Sequence, residues 1–303
     1  MNEQVERDVM EYDVLIIGGG PSGLSSAIKV KQLASAEGKE VSVCVLEKGS
    51  EIGAHILSGN VFEPTALNEL IPDWKEKEAP LNSPATKDIV KFMISENSSI
   101  NIPFPSFLIP TFNNHGNYVM SLANFTRWLA TQAESLGVEI FPGFTAAEVI
   151  FEENVVKGVL TGEMGISKDG EKKPSYQPSM ELRGKYTVFA EGCRGHLGKQ
   201  LIKKFNLDEN RDPQHYGIGF KEIWDISPED HKEGTVMHTM GWPSNGTISG
   251  SYFYHGENNQ VYLGYVVPLD YENPHLSPFD EFQQWKQHKD CLLYTSPSPR
   301  DRE

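Results

Sequence analysis

The 303 residues are 38% hydrophobic and 23% charged, and 27 basic against 42 acidic side chains leave a formal charge of −15. A chain of that size buries a core without disulfide or metal staples and has room for about two domains. The acidic balance excludes a general nucleic-acid binder, since no wide basic face neutralises phosphates, and it confines any membrane contact to a local, apolar one.

Residues 1–11 are acidic and lack an apolar stretch, so they read as neither a signal peptide nor an Arg-rich transit peptide. Nothing approaches the roughly 20 apolar residues of a spanning helix. Cys44, Cys193 and Cys291 are scattered. They are too few for a four-thiolate cluster and unsuited to a disulfide framework, which indicates a reducing compartment. The N-x-S/T triplets at Asn97, Asn124 and Asn245 read as unused.

Residues 12–17 carry the unbroken apolar run Val14, Leu15, Ile16 and Ile17 and end in three glycines. That pattern predicts a buried parallel strand. A helix is predicted over 22–34, with Leu24, Ala27 and Ile28 on one face and Gly38 breaking it, then a second strand over 41–46. The result is a β-α-β unit. Its first turn, Gly18-Gly19-Gly20-Pro21-Ser22-Gly23, has the G-x-G-x-x-G spacing. Gly18 permits the tight turn, Gly20 lets a pyrophosphate approach the backbone, and Gly23 lets helix and strand pack closely. The helix N-terminus adds free N–H groups and partial positive charge. Glu47 ends the second strand with its carboxylate placed for ribose hydroxyls. The N-terminal placement and the small-residue segment from Gly53 and Ala54 through Ser58 to Gly59 favour FAD over NAD. His55 receives no acid–base role.

Pro64 opens a short helix carrying Leu67, Leu70 and Ile71, and Pro72 ends it. Residues 75–78 alternate in sign and read as solvated surface. Residues 101–111 are apolar but hold Pro103, Pro105 and Pro110, so they predict an irregular apolar loop. The clearest helix spans 122–136, with Leu122, Phe125, Leu129, Ala133 and Leu136 at helical spacing, Ser121 as N-cap and Gly137 as C′. A strand follows over 138–141, then a hairpin of 147–151 and 155–160, a polar loop over 168–178, and a buried strand over 186–190. That strand ends in a second glycine turn, where Gly192 makes a further cofactor contact and Cys193 reads as small packing. Residues 242–269 are β-rich, and 291–303, with Ser-Pro-Ser-Pro, read as a non-native tail. No nucleophile elbow, HExxH or Ser/His/Asp set is present, as expected where a flavin ring does the redox chemistry.

Taken together, YDVLIIGGGPSGLSSAIKVKQLA, VCVLEKGSEIGAHILSGNVFEP, IPDWKEKEAPLN, NNHGNYVMSLANFTRWLATQAESLGVEIFPG, FAEGCRGHLGKQL, GWPSNGTISGSYFYH and LGYVVPLDYENPHLSPFDEFQQWKQH resemble the electron transfer flavoprotein–ubiquinone oxidoreductase family over 12–288. The resemblance implies an α/β fold with α+β elements. It would be a FAD-binding Rossmann-like domain of the p-hydroxybenzoate-hydroxylase/glutathione-reductase-2 type with an inserted β-rich ubiquinone-binding domain. The expected domains are 12–75 and 115–205 for FAD, 76–114 as a proline-rich apolar insertion, 206–290 for ubiquinone, and 291–303 as tail.

The resemblance further implies that Gly18, Gly20, Pro21, Ser22, Gly23, Glu47, Lys48, Gly53, Ala54, Ser58, Gly59 and Gly192 bind FAD, and that Ser249 and Gly250 border ubiquinone. Electrons would come from reduced electron transfer flavoprotein. A 4Fe-4S cluster would belong to the longer parent only, and the chain would touch the membrane peripherally, on the cytoplasmic face of a bacterial inner membrane. Many members carry Gly-Gly where this chain has Ser249-Gly250, so a serine here narrows the space and adds a hydroxyl. Family members are also longer, so this chain is expected to be inactive alone. The alternatives are a FixC-type or geranylgeranyl-reductase-type flavin oxidoreductase, a non-enzymatic flavin-binding module, and an NAD-dependent dehydrogenase.

Overall fold

Val14 to Ile17 lose almost all contact with water because their sheet is covered on both faces, Leu15 and Ile17 packing with Leu197 and Leu201 and Ile16 lying beneath Gly23, which is why the run is continuous rather than alternating. The computed structural model describes residues 7–56, 59–103, 112–244 and 246–292. In chain order the first elements are β1 (Val9–Ile17), α1 (Pro21–Ala36), β2 (Val43–Glu47), β3 (Asn60–Phe62), α2 (Thr65–Leu70), β4 (Ser83–Pro84), β5 (Lys87–Ser95), β6 (Ser98–Asn101) and β7 (Tyr118–Met120). Then come α3 (Leu122–Ser135), β8 (Glu139–Pro142), β9 (Ala146–Glu152), β10 (Val155–Thr161), β11 (Met164–Ile166), β12 (Lys172–Gln177), β13 (Glu181–Phe189) and α4 (His196–Phe205). The last are β14 (Gly217–Asp225), β15 (Thr235–Gly241), β16 (Gly250–His255), β17 (Gln260–Pro268), α5 (Pro278–Lys286) and α6 (Lys289–Leu292). Over the described residues they form two compact units, 7–56 with 123–211 and 59–122 with 212–292.

The first unit is a six-stranded sheet of order β8-β2-β1-β13-β10-β9. β8, β2, β1 and β13 run parallel, and the β9–β10 hairpin adds to β13 antiparallel. Pro21 sits in the first turn of α1, where its missing N–H costs nothing. Gly23, Leu24, Ala27 and Ile28 form the buried face of that helix. Gly38, at φ +64°, closes it. α3 buries Ala123, Phe125, Leu129, Ala130 and Ala133, but Leu136 lies beyond the last turn and is exposed.

Three local expectations are corrected. Residues 168–178 are not all loop: β12 pairs with β11 around a turn in which Ser167 N–H donates to the Glu171 carbonyl at 2.9 Å. The strand ending at Phe189 is not buried throughout, for Tyr186 is 74% exposed. Among the described residues β10 pairs only with 181–183, so no strand covers that side of β13 beyond Arg183. Cys193 is exposed rather than packed.

The second unit holds a six-stranded sheet of order β14-β17-β16-β15-β5-β6 and a small sheet of order β3-β7-β4. β5 lies parallel to β15, so residues 87–101 are a hairpin at the edge of the main sheet. On one face of that sheet α5 seats Phe282 and Trp285 against Phe253 and Tyr265. Each such large side chain is worth about 1.5–3 kcal/mol of burial. Lys286 of α5 holds Glu222 of β14 with bonds of 2.8 and 2.9 Å. Trp74 is buried against Tyr118 and donates to Asn68 at 2.7 Å. Cys291 is buried in the same core as Trp285, whereas 293–303 lie outside the described residues.

Candidate functional site

In the first unit the strand β1 delivers Gly18, Gly19 and Gly20 directly to the N-terminus of α1. Each glycine has its own reason. A Cβ on Gly18 would lie 2.4 Å from the Ala190 carbonyl oxygen, and one on Gly23 would lie 2.0 Å from the Gly18 carbonyl oxygen. A Cβ on Gly20 would meet nothing within 4 Å, although its φ of −79° suits any residue. Gly20 is the N-cap of α1, and no side chain caps the helix. The first-turn N–H groups, with the positive end of the helix dipole behind them, are therefore available to an anion.

Glu47 stands at the end of β2 beside this turn. Its two carboxylate oxygens accept from Gly19 N–H at 2.9 Å and Gly49 N–H at 2.7 Å. Those bonds fix the carboxylate and leave lone pairs for a ribose hydroxyl. The residues thus fit the diphosphate and ribose of a dinucleotide.

The structure brings Gly18, Gly20, Pro21, Ser22, Gly23, Glu47 and Lys48 into one turn region, with Lys48 exposed. Gly53 is buried at φ +85°, and a Cβ there would lie 2.9 Å from the Ala123 carbonyl oxygen, so it serves the packing of α3. Ala54 is exposed, Gly192 is an exposed turn residue at φ +80°, and Ser58 lies outside the described residues. Gly59 belongs to the second unit, where it packs on Tyr262 and accepts from Lys221 at 3.2 Å. Glu191, unassigned by the sequence reading, caps α4 by accepting from Gly198 N–H at 2.8 Å.

The second unit contains a cavity of about 600 Å³ with a mostly apolar wall. It opens where β15 ends and β16 begins, and Thr247, Ser249, Gly250, Met240, Phe112 and His238 line it. A Cβ on Gly250 would meet nothing within 4 Å. Ser249 does not simply narrow the space, because its hydroxyl lies 3.1 Å from that of Tyr265.

The sequence reading missed His238, Tyr252 and Tyr254. His238 pairs with Tyr252 in register and its ring nitrogen lies 2.9 Å from the Tyr254 hydroxyl. Period-two alternation in β15 and β16 would have placed these on the face that carries Gly250. Burial lowers the His238 pKa, against the raising field of Asp88. Burial likewise pushes the Tyr254 phenol up to about 12. Both groups are therefore neutral near pH 7. Asp88 also clamps Asn114, accepting at 3.0 and 2.6 Å.

Phe92, Ile94 and Ile100 share one exposed face of the β5–β6 hairpin, and Ile248 at the cavity is 92% exposed. Residues 104–111, most of the expected apolar loop, lie outside the described residues. No helix among the described residues is long and apolar enough to cross a membrane.

The fold and the glycine turn define a Rossmann-type dinucleotide-binding protein with flavoprotein architecture. A family profile described as an NAD(P)-binding Rossmann-like domain matches residues 16–71, and one described as ETF-QO, ubiquinone-binding, matches 216–295. Among solved structures, a geranylgeranyl bacteriochlorophyll reductase-like protein from Thermoplasma acidophilum aligns with a TM-score of 0.66 at 16% identity, over 94% of this chain and 64% of that one. A flavoprotein/dehydrogenase from Cytophaga hutchinsonii aligns with a TM-score of 0.59 at 15% identity, over 95% and 64%. At those identities the likeness concerns the fold alone.

Among curated proteins, the electron transfer flavoprotein-ubiquinone oxidoreductase of Pseudomonas aeruginosa is 60% identical over 98% of this chain and 54% of its own length. The mitochondrial protein of that name from Homo sapiens is 50% identical over 94% and 46%. The chain belongs to the electron transfer flavoprotein–ubiquinone oxidoreductase family and spans about half the length of the curated relatives it matches.

Proposed function

We propose that this chain is the flavin- and quinone-binding part of an enzyme that takes electrons from reduced electron transfer flavoprotein through FAD and passes them to ubiquinone at a membrane surface. One observation carries the reading. Of the 27 glycines, Gly20 and Gly250 alone combine an ordinary φ with nothing within 4 Å of a would-be Cβ. The fold does not require glycine at either position, whereas a ligand approaching the backbone does.

In this reading Gly20, Ser22 and Gly23 hold the FAD diphosphate on the first turn of α1, and Glu47 orients the ribose. Bound there, the flavin supplies the redox chemistry. The chain's own residues position and shield. The apolar wall around Gly250 and Met240 takes a quinone head and excludes water, and the neutral His238 and Tyr254 offer polar contacts without a net charge. The exposed Phe92, Ile94, Ile100 and Ile248 favour a lipid surface at the mouth, so a polyprenyl tail leaves directly into the bilayer. Gly18, Pro21, Lys48, Gly53, Ala54, Ser58, Gly59 and Gly192 remain assigned to FAD, and Ser249 with Gly250 to ubiquinone.

A chain with three cysteines lacks the four thiolates of a 4Fe-4S cluster, so the cluster is assigned to the part of the full-length protein outside this chain. The FAD assignment covers residues 12–75 and 115–205, and the quinone assignment 206–290. We place the protein peripherally on the cytoplasmic face of a bacterial inner membrane, and the isolated chain as inactive. The test is the full-length protein carrying Gly20→Val or Gly250→Trp. The first is expected to lose bound flavin absorbance, and the second to keep flavin but lose quinone reduction. Normal flavin content in the first, or normal quinone kinetics in the second, refutes the corresponding half of the reading.

A further inference from the structure

A chain of hydroxyl groups ties the loop between β15 and β16 to the rest of the second unit, and of its members only Ser249 enters the function above. Glu281 of α5 accepts from Ser244 Oγ at 2.8 Å. Ser244 Oγ lies 2.5 Å from the Tyr265 hydroxyl, which lies 3.1 Å from Ser249 Oγ. Ser244 and Tyr265 are buried. At the two ends, Glu281 is half-buried and Ser249 lines the cavity.

Each hydroxyl has one proton to give, and an ionised carboxylate can only accept. Ser244 spends its proton on Glu281, so it accepts from Tyr265, and Tyr265 in turn accepts from Ser249. Ser249 then presents only lone pairs to the cavity. When Glu281 carries a proton and donates it to Ser244, every link reverses and Ser249 donates into the cavity. On the elements packed against α5, Glu222 of β14 pairs with Lys286, and Asp290 of α6 pairs with Lys91. From β17 the titratable group in contact is Tyr265 itself, whose phenol burial raises, so it passes protons rather than ionising.

We propose that Glu281, Ser244, Tyr265 and Ser249 form a proton relay, open to solvent at Glu281 and to the cavity at Ser249, that sets whether the cavity wall accepts or donates a hydrogen bond. The proposal rests on the reading of the cavity as a quinone site. With Glu281 ionised the wall suits a quinol, whose O–H donates. With Glu281 protonated it suits a quinone, whose carbonyl accepts. On reduction the quinone takes two electrons from the reduced flavin and two protons. The relay supplies one: Ser249 gives its proton to the carbonyl oxygen, Tyr265 refills Ser249, Ser244 refills Tyr265, Glu281 refills Ser244, and water reprotonates Glu281. The second proton enters from solvent at the cavity mouth.

The test is equilibrium binding of a short-chain ubiquinone and of its quinol to the full chain, between about pH 7.5 and about pH 5. One hydrogen bond made with one form and not the other corresponds to about a tenfold preference. The wild type is expected to prefer quinol about tenfold near neutrality, with the preference falling as the pH is lowered across that range. Tyr265→Phe breaks the relay in the middle and is expected to bind both forms with a ratio that no longer depends on pH. Ser249→Ala removes the last link without touching the core and is expected to do the same, so it carries the test if the Phe variant does not fold. A pH-independent ratio in the wild type, or a wild-type profile in both variants, overturns the relay alone. If the wild type binds neither form, the quinone reading falls and the relay with it.

Discussion

Gly250→Trp fills the space in which the structure leaves room for a ligand, and its cost is separable from any cost to folding. A Cβ at Gly250 meets no atom within 4 Å and Gly250 lines the cavity of about 600 Å³, so the substituent is expected to take up cavity space. A tryptophan buries roughly 150–250 Å². At about 25 cal/mol per Å², the same apolar contact denied to a quinone head is worth about 4–6 kcal/mol, more than two orders of magnitude in Kd. Gly250→Ala adds one methyl, about 0.8 kcal/mol or fourfold. Neither variant is expected to lower the melting temperature. Gly264→Ala is the contrasting case in the same sheet, because its Cβ would lie 2.3 Å from the Tyr252 ring. Forcing that ring aside costs about 1–3 kcal/mol of stability. Quinone titration and thermal unfolding of the three variants give the comparison. Wild-type affinity in Gly250→Trp would refute the assignment of the cavity.

The dinucleotide turn yields an analogous pair: Gly23→Ala, with 2.0 Å between its Cβ and the Gly18 carbonyl oxygen, is expected to unfold the first unit, whereas Gly20→Val is expected to keep the fold and lose flavin. Circular dichroism and flavin absorbance separate the two. Trp285→Ala removes a fully buried ring and leaves Thr239, which accepts from the indole at 2.9 Å, without that donor. Its expected cost is about 3–5 kcal/mol by urea unfolding. His255 is held near pKa 4 by burial, reinforced by His231 and Lys232. Its folded value is depressed, so the unfolded chain takes the proton first. Stability is full above about pH 6.5 and falls as the pH drops towards 4, by up to about 3 kcal/mol. His255→Asn is expected to flatten that slope in urea unfolding measured at successive pH values.

The β-α-β unit was legible because every part of its signal is local: the apolar run, the spacing of Gly18, Gly20 and Gly23, and the helical face of Leu24, Ala27 and Ile28 lie within a few turns of one another. Even there the sequence did not show which glycines answer to the fold and which to a ligand. At Gly53, expected as a cofactor residue, the fold alone already asks for glycine, because a Cβ there would lie 2.9 Å from the Ala123 carbonyl oxygen, a contact between elements far apart in the chain. The hairpin of β5 and β6 went unread for a related reason. Its parallel partner, β15, arrives after more than a hundred intervening residues, and the edge exposure of Phe92, Ile94 and Ile100 blurs any inward–outward alternation.

Ser249 shows most clearly where sequence reasoning stops. Read along the chain, a serine beside Gly250 is a bulkier residue with a hydroxyl aimed at the ligand. In the fold that hydroxyl meets Tyr265, Tyr265 meets Ser244, and Ser244 meets Glu281, three partners from three different segments. What the serine offers the cavity, a donor or an acceptor, is then decided at Glu281, 32 positions away in the chain (281 less 249) and beyond the reach of any motif. A Gly-to-Ser change at such a position is therefore not a modest narrowing of a pocket. Its effect depends on whether the other three groups are present, and replacing Glu281 with Gln is expected to alter quinone selectivity as much as replacing Ser249 itself. Equal quinol-to-quinone ratios in Glu281→Gln and wild type, both still falling towards low pH, would show that the four groups do not act as one.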